Sequence, residues 1–336
     1  MSPTCLFIAC DHGYGHTRRV CLLADRLAAY NWQVTVFANI RAVNIFKSMK
    51  PLHPAIMWHH FETDTRVKNF HNRNISDWVK ALPDVSGYDL VVSDNLPEIL
   101  MVRPDAVLCG SFLWHLSLSE IHPAVFALHR DLLTAHNPHM ISQTLFVSDA
   151  LESIVTLHKT GLCCIWPPED RKIAKNSVLI ACGKSGALYD DCRQFVGELS
   201  TRANLLPFEK VWVEPSLLPL SPPSWMFPAD FSKDMYASIC SAIIRPGVGS
   251  ATDAIWAGAR IYAVFESGND EMKHNAYAIE RNGLGEVCGS FQAALDAMMK
   301  CAADDQIRRS HKLALSKVSM NGVEESAELL QTIIAT

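Results

Sequence analysis

Ile243-Ile244-Arg245-Pro246-Gly247-Val248-Gly249-Ser250-Ala251-Thr252-Asp253-Ala254-Ile255-Trp256-Ala257-Gly258 is the stretch that decides the fold. An apolar run enters a loop with two glycines. Ser250 and Thr252 follow, and a short helical segment ends at Gly258. Such a strand-to-helix turn points backbone N–H groups and the positive end of a helix at one spot, which suits an anion such as a phosphate. A matching element lies near the other end of the chain, Asp11-His12-Gly13-Tyr14-Gly15-His16-Thr17-Arg18-Arg19. Two glycine-bearing turns, one per half, imply two similar domains facing each other across a cleft.

Working outward, Leu6–Ala9 reads as a buried strand, and Val20, Leu23, Ala24 and Leu27 keep helical spacing after the first glycine loop. Val34–Ala38 is a second strand, giving the β-loop-α-β start of a doubly wound sheet. Leu90–Ser93, Ala106–Gly110, Leu145–Val147 and Cys163–Ile165 read as further strands of the first half. Trp166–Lys172 combines a proline pair with a charge run and is the linker candidate. The pattern then restarts with strand Val178–Ala181, turn Gly183–Gly186 and a helix holding Phe195, Val196 and Leu199. Val211–Val213, Ala242–Ile244 and Ile261–Phe265 are strands, and the proline-rich span Pro215–Pro228 reads as a loop. Glu271–Asn282 reads as a helix with Gly283 just past its end.

The 336 residues accommodate two domains of ordinary size. Net charge is −5, so bulk electrostatics draws the chain neither to nucleic acid nor to an anionic membrane. Eleven cysteines show no CxxC pair and no metal spacing, which predicts reduced, mostly buried thiols in a cytoplasmic protein. No uncharged apolar run reaches the length of a membrane span, which leaves peripheral membrane contact open. No nucleic-acid-binding stripe is evident.

The second half resembles the nucleotide-sugar-binding domain of GT-B glycosyltransferases, the MurG-like and galactolipid-synthase-like groups in particular. The resemblance rests on Arg245-Pro246-Gly247-Val248-Gly249-Ser250, then Asp253, Asp270-Glu271 and Asn275-Ala276. Gly13-x-Gly15-His16-x-x-Arg19 is similar to the first loop of the same families and of the nucleotide-sugar hydrolases of pseudaminic acid synthesis. Ser93-Asp94-Asn95 and Ser111–His115 resemble first-domain motifs of the transferases. Three positions depart from the pattern: Asp253 stands where Glu is usual, Cys240-Ser241 where Ala-Asp is common, and Ala259-Arg260 where Gly/Val-Pro is usual.

The resemblance implies an α/β protein of two Rossmann-like doubly wound domains, the GT-B fold. It implies an acceptor-binding domain over 1–166, a linker over 167–176, a nucleotide-sugar-binding domain over 177–322, and a C-terminal helix over 323–336 packing back on the first domain. The implied activity is transfer of a sugar from a nucleotide sugar, a UDP-sugar foremost, to an acceptor hydroxyl that the sequence does not name. Inversion follows from the resemblance. No cofactor and no metal are expected, since Asp-x-Asp is absent and the closest approach to it is Glu62-Thr63-Asp64.

Within that frame Gly247, Gly249 and Ser250 form a diphosphate cradle, the glycines allowing close backbone approach. Gly183, Ser185 and Gly186 form a second turn near the diphosphate, with Lys184 or Arg245 offsetting its charge. By resemblance Asp253 takes the ribose hydroxyls, and Glu271 and Asn275, spaced i,i+4 on one helix face, hold the donor sugar. His16 is the candidate general base, and Asp94, ending a buried strand, is either the base or the group that orients His16. Gly13, Gly15 and Arg19 form the acceptor or phosphate loop. Simpler readings stand beside each of these: an ordinary turn, a first-turn helix acid, a structural histidine. A nucleotide-sugar hydrolase or epimerase, or a non-catalytic nucleotide-sugar-binding protein, remain alternatives.

Overall fold

The computed structural model describes residues 2–10, 14–61, 79, 82, 84–112, 123–167, 176–183, 187–202 and 208–335. The chain forms two compact units, one from Met1–Ile165 with Asn321–Thr336, the other from Trp166–Met320. The first contains β1 (Thr4–Ile8), α1 (Tyr14–Ala29), β2 (Gln33–Asn39), α2 (Ile40–Met49), β3 (Met57–Phe61), β4 (Leu90–Asp94), β5 (Val107–Cys109), α3 (Pro123–His136), β6 (His139–Gln143) and β7 (Thr156–Thr160). Its seven strands lie in the order β3-β2-β1-β4-β5-β6-β7, all parallel.

The second unit contains β8 (Ser177–Ala181), α4 (Ala187–Ser200), β9 (Lys210–Val213), β10 (Met226–Pro228), α5 (Lys233–Ser238), β11 (Ile239–Ile244), α6 (Val248–Ala257), β12 (Arg260–Ala263), α7 (Asp270–Arg281), β13 (Gly285–Val287), α8 (Phe291–Ala302) and α9 (Asp305–Leu315). Its six parallel strands run β10-β9-β8-β11-β12-β13. The last helix, α10 (Gly322–Ala335), belongs to the first unit.

Parallel sheets bury both faces, so their strands read as continuous apolar runs rather than alternating ones. Leu6, Ile8, Val91, Leu108 and Met140 form the core of the first unit with Ile99 and Leu133. Val178, Ile180, Val211, Val213 and Ile243 pack with Phe195, Phe291 and Leu295 in the second. On α1 the predicted stripe Val20, Leu23, Ala24, Leu27 is fully buried.

Some expectations moved. Leu145–Val147 is a turn, and the strand lies just before it at His139–Gln143; Phe146 plugs the core from the turn, its N–H on Gln143 O. Cys163–Ile165 is not a strand either. The strand is the more polar edge Thr156–Thr160, and Cys163 makes only an isolated bridge to Asn321. The proline-rich span ends in strand β10, a sheet edge where Pro228 sits without interrupting an interior ladder. β3 and β13 escaped the reading because short edge strands carry little apolar signal. All eleven cysteines are free. Among the described residues no helix is long and apolar enough to cross a membrane.

Helix α10 is locked to the first unit at its entry. Gly161 N–H donates to Glu325 at 2.6 Å, Gly322 N–H to Leu162 O at 3.1 Å, and Arg26 pairs with Glu324. A Cβ on Gly322 would lie 2.1 Å from Gly161 O. Gly322→Ala is therefore expected to destabilise the first unit by about 1–3 kcal/mol, the usual cost of overpacking. Urea denaturation of the full chain checks this.

Candidate active site

In an open doubly wound sheet, ligands bind beyond the carboxyl ends of the strands, at the point where strand order reverses. In the first unit that point lies between β1 and β4. Helix α1 follows β1 in the chain, and β4 ends at Asp94.

Asp94 is wholly buried, and three groups converge on its carboxylate. His16 Nδ1 lies 2.6 Å from Oδ1. Arg19 grips the carboxylate with two parallel bonds, Nε to Oδ2 at 2.7 Å and Nη2 to Oδ1 at 2.9 Å. The Cys109 thiol donates to Oδ2 at 3.6 Å. His16 and Arg19, spaced i,i+3, share the face of α1 turned to β4. Burial alone would raise the Asp94 carboxyl; the Arg19 guanidinium and then His16 outweigh it and hold the carboxyl below the ordinary carboxylate range. Burial pushes the Cys109 thiol well up, with the Asp94 charge adding to it, so the thiol stays protonated as a donor. An ionised Asp94 only accepts, so the proton between it and His16 belongs on Nδ1, and Nε2 is the nitrogen left to act as a base.

The backbone after Asp94 explains how the carboxylate is held. Asn95 takes a left-handed conformation (φ 54°), and its N–H returns to Cys109 O. Its side chain stands over Gly110, where a Cβ would meet Asn95 Oδ1 at 1.8 Å. Gly15 lies within the first turn of α1. Gly13 lies outside the described residues.

In the second unit the strand order reverses between β8 and β11. The loop after β11 enters α6 with Gly247 at the N-cap, where no side chain caps the helix. Ser250 is exposed in the first turn, and Asp253 is buried one turn later. Gly258 closes α6 in the left-handed region (φ 78°). Trp256 Nε1–H donates to Pro167 O at 3.2 Å, and its ring tilts against Trp166, anchoring the back of α6.

Several expected residues have taken partners. Arg245 Nε and Nη2 hold the Glu266 carboxylate at 3.0 and 2.6 Å, and Asn269 Nδ2 donates to the same group at 2.9 Å. Burial would raise the Glu266 carboxyl, but the hydrogen bond from Arg245 leads the effects that bring it below its usual value. Asn275 is fully buried and donates to Pro246 O at 3.1 Å, bracing the loop it was expected to serve as a sugar ligand. Gly183 is left-handed (φ 76°) and its N–H donates to Glu214 Oε2 at 2.9 Å, so that donor is already engaged. Glu271 sits half-buried in the first turn of α7. Ser185 and Gly186 lie outside the described residues. Arg19, read from sequence as a phosphate-loop residue, is instead committed to Asp94.

Sequence reasoning passed over Glu214, Glu266 and Asn269. Glu214 directly follows β9, Glu266 closely follows β12, and Asn269 caps α7, so the rule that ligand groups gather at carboxyl strand ends was the available signal. A surface cavity of about 470 Å³ lined by Arg260, Glu286 and Asp304 lies at the opposite, amino-terminal ends of β12 and β13 and holds none of these residues.

No protein-family model and no curated sequence matches the chain. Solved structures do. The calicheamicin glycosyltransferase CalG4 is 16% identical with a TM-score of 0.67, over 100% of this chain and 99% of that one. Phytolacca americana UGT2, solved with UDP-2fluoro-glucose and pterostilbene, is 10% identical with a TM-score of 0.68, over 99% of each chain. Arabidopsis thaliana UGT89C1, solved with UDP, is 11% identical with a TM-score of 0.68, over 99% of this chain and 100% of that one. The fold is GT-B. In this GT-B chain each of the two sheets places a polar cluster where its strand order reverses, the Asp94 cluster in one and the α6 entry in the other.

Removing one partner from a buried ion pair leaves an uncompensated charge. Arg19→Met is expected to lower stability by about 3–5 kcal/mol in urea denaturation. Because the Asp94 carboxyl is depressed in the fold, its stabilisation is complete above the unfolded value of about 3.9 and is lost as pH falls through the lower folded value. The stability gap between wild type and Asp94→Asn should therefore narrow on acidification below about pH 4.

Proposed function

We propose that the chain is a glycosyltransferase that moves a sugar from a UDP-linked donor to an acceptor hydroxyl, inverting the anomeric centre and using no metal. The observation that carries this reading is the His16–Asp94 pair at 2.6 Å, at the carboxyl end of the first sheet. Asp94 fixes the imbalance between the two ring nitrogens. Nδ1–H is bound, and Nε2 accepts the proton of an acceptor hydroxyl as its oxygen attacks the anomeric carbon. A single displacement by an oxygen nucleophile inverts that carbon. The bond to the nucleoside diphosphate breaks as the new glycosidic bond forms, and the leaving diphosphate takes the electron pair.

The second unit supplies the donor half. The N-terminus of α6, entered at Gly247 with no side-chain cap and followed by Gly249 and Ser250, suits the diphosphate, and Arg245 lies two residues ahead of that cap. Helix dipole and guanidinium together offset the developing negative charge, the role a metal plays elsewhere. Asp253 and Glu271 are assigned to the ribose and sugar hydroxyls. The choice of UDP draws support from the solved neighbours with UDP and UDP-2fluoro-glucose.

A thermal-shift screen against UDP, GDP, dTDP and CMP, each with and without common sugars, tests the donor. Stabilisation by UDP, larger with one sugar attached, is the expected result. Absence of any shift at millimolar ligand would refute donor binding, and release of free sugar without acceptor would make the protein a hydrolase. His16→Ala should reduce turnover by about 10²–10⁴-fold while leaving the UDP shift intact. Loss of both together would assign His16 to binding.

A further inference from the structure

Arg245 is the cation nearest in sequence to the N-terminus of α6, yet both Nε and Nη2 face the Glu266 carboxylate. We propose that Glu266 occupies the Arg245 guanidinium in place of the donor diphosphate, yields it when the diphosphate binds, and reclaims it when the nucleoside diphosphate leaves. This rests on the donor-site reading above and adds to it a residue that sets how tightly donor and product are held.

Several observations converge. The pair is accessible to solvent, the Arg245 side chain 25% and the Glu266 side chain 30% exposed, so an incoming anion can reach it. Glu266 begins a short turn of Ser267, Gly268 and Asn269. Ser267 and Gly268 are exposed, and Gly268 is left-handed at φ 87°, a conformation glycine adopts without strain. The carboxylate is not stranded when Arg245 lets go, because Asn269 Nδ2 still donates to Oε1 at 2.9 Å. The same Asn269 caps α7 through its own Oδ1 on Met272 N–H at 3.1 Å. Asn275 of that helix donates to Pro246 O, the residue after Arg245. A closed ring of bonds thus joins the cation, its surrogate anion and the loop that enters α6. The loop holds its shape while the partner of Arg245 changes.

Charge decides the sign. Arg245 with Glu266 is electrically neutral and attracts a diphosphate little, whereas Arg245 freed from a carboxylate attracts it strongly. The built-in carboxylate therefore weakens nucleotide binding and speeds product departure, the step that limits many transferring enzymes. A carboxylate that merely oriented Arg245 for the ligand would do the reverse, and its removal would weaken binding.

Titration calorimetry on the full chain separates the two, with UDP and inorganic pyrophosphate as probes at low and at physiological salt. Glu266→Gln keeps the size of the side chain and removes its charge. It is expected to tighten both probes by about fivefold or more. Arg245→Met should weaken both, and in the double variant the gain from Glu266→Gln should vanish. Glu209→Gln removes the same charge at the amino end of β9 and should leave affinity unchanged. UDP binding that is unaltered or weakened in Glu266→Gln overturns the exchange. Tighter pyrophosphate without UDP binding keeps it and removes the nucleotide reading. Binding of neither probe to wild type or Glu266→Gln overturns both.

Discussion

The first half of the molecule turns on one carboxylate. Asp94 sits at the end of a central strand with no solvent exposure, a place where a bare charge is costly. It is tolerable only because Arg19 gives it two parallel hydrogen bonds and His16 a third. Position follows from that need. Helix α1 must present residues 16 and 19 on the face turned toward β4. Gly110 must lack a side chain so that Asn95 can fold over it. The histidine is thereby oriented by a group whose charge Arg19 already offsets. The same bonds that make the fold tolerate Asp94 define which imidazole nitrogen carries the proton.

The second half handles charge differently. Its Arg245–Glu266 pair is partly exposed, whereas Glu214, which takes the Gly183 N–H, is buried. A partly exposed pair such as Arg245–Glu266 contributes little to stability, on the order of 0–1 kcal/mol. The first unit gathers His16 and Arg19 around a wholly buried carboxylate, while the Arg245–Glu266 pair of the second is partly open to solvent.

Much of the architecture was readable because parallel strands are written as uninterrupted apolar runs. Leu90–Ser93, Val178–Ala181 and Val211–Val213 could be placed within a residue. The same rule misled at Leu145–Val147 and Cys163–Ile165, where apolar residues fill the core from a turn and a bridge. It was silent at Thr156–Thr160, a polar edge. His16 and Asp94 were named from opposite sides of a long sequence gap, by the rule that a doubly wound sheet keeps ligand groups at its carboxyl strand ends, and the structure places them 2.6 Å apart. What sequence could not convey was pairing. Arg19 and Arg245 both read as cations waiting for a phosphate, and only three-dimensional proximity reveals that carboxylates already hold them. Asn275 likewise reads as a polar helix face, while its amide is buried against Pro246 O.

The C-terminal helix has a meaning that concerns time rather than space. The first unit is discontinuous in sequence, closed by Asn321–Thr336 after the whole of the second has been written. During synthesis the residues of the second unit are all available before the first can complete its bonds from Gly161 to Glu325 and from Arg26 to Glu324. The half whose strands are made earlier is thus the half that must wait, because the helix that packs on α1 follows the whole of the second unit.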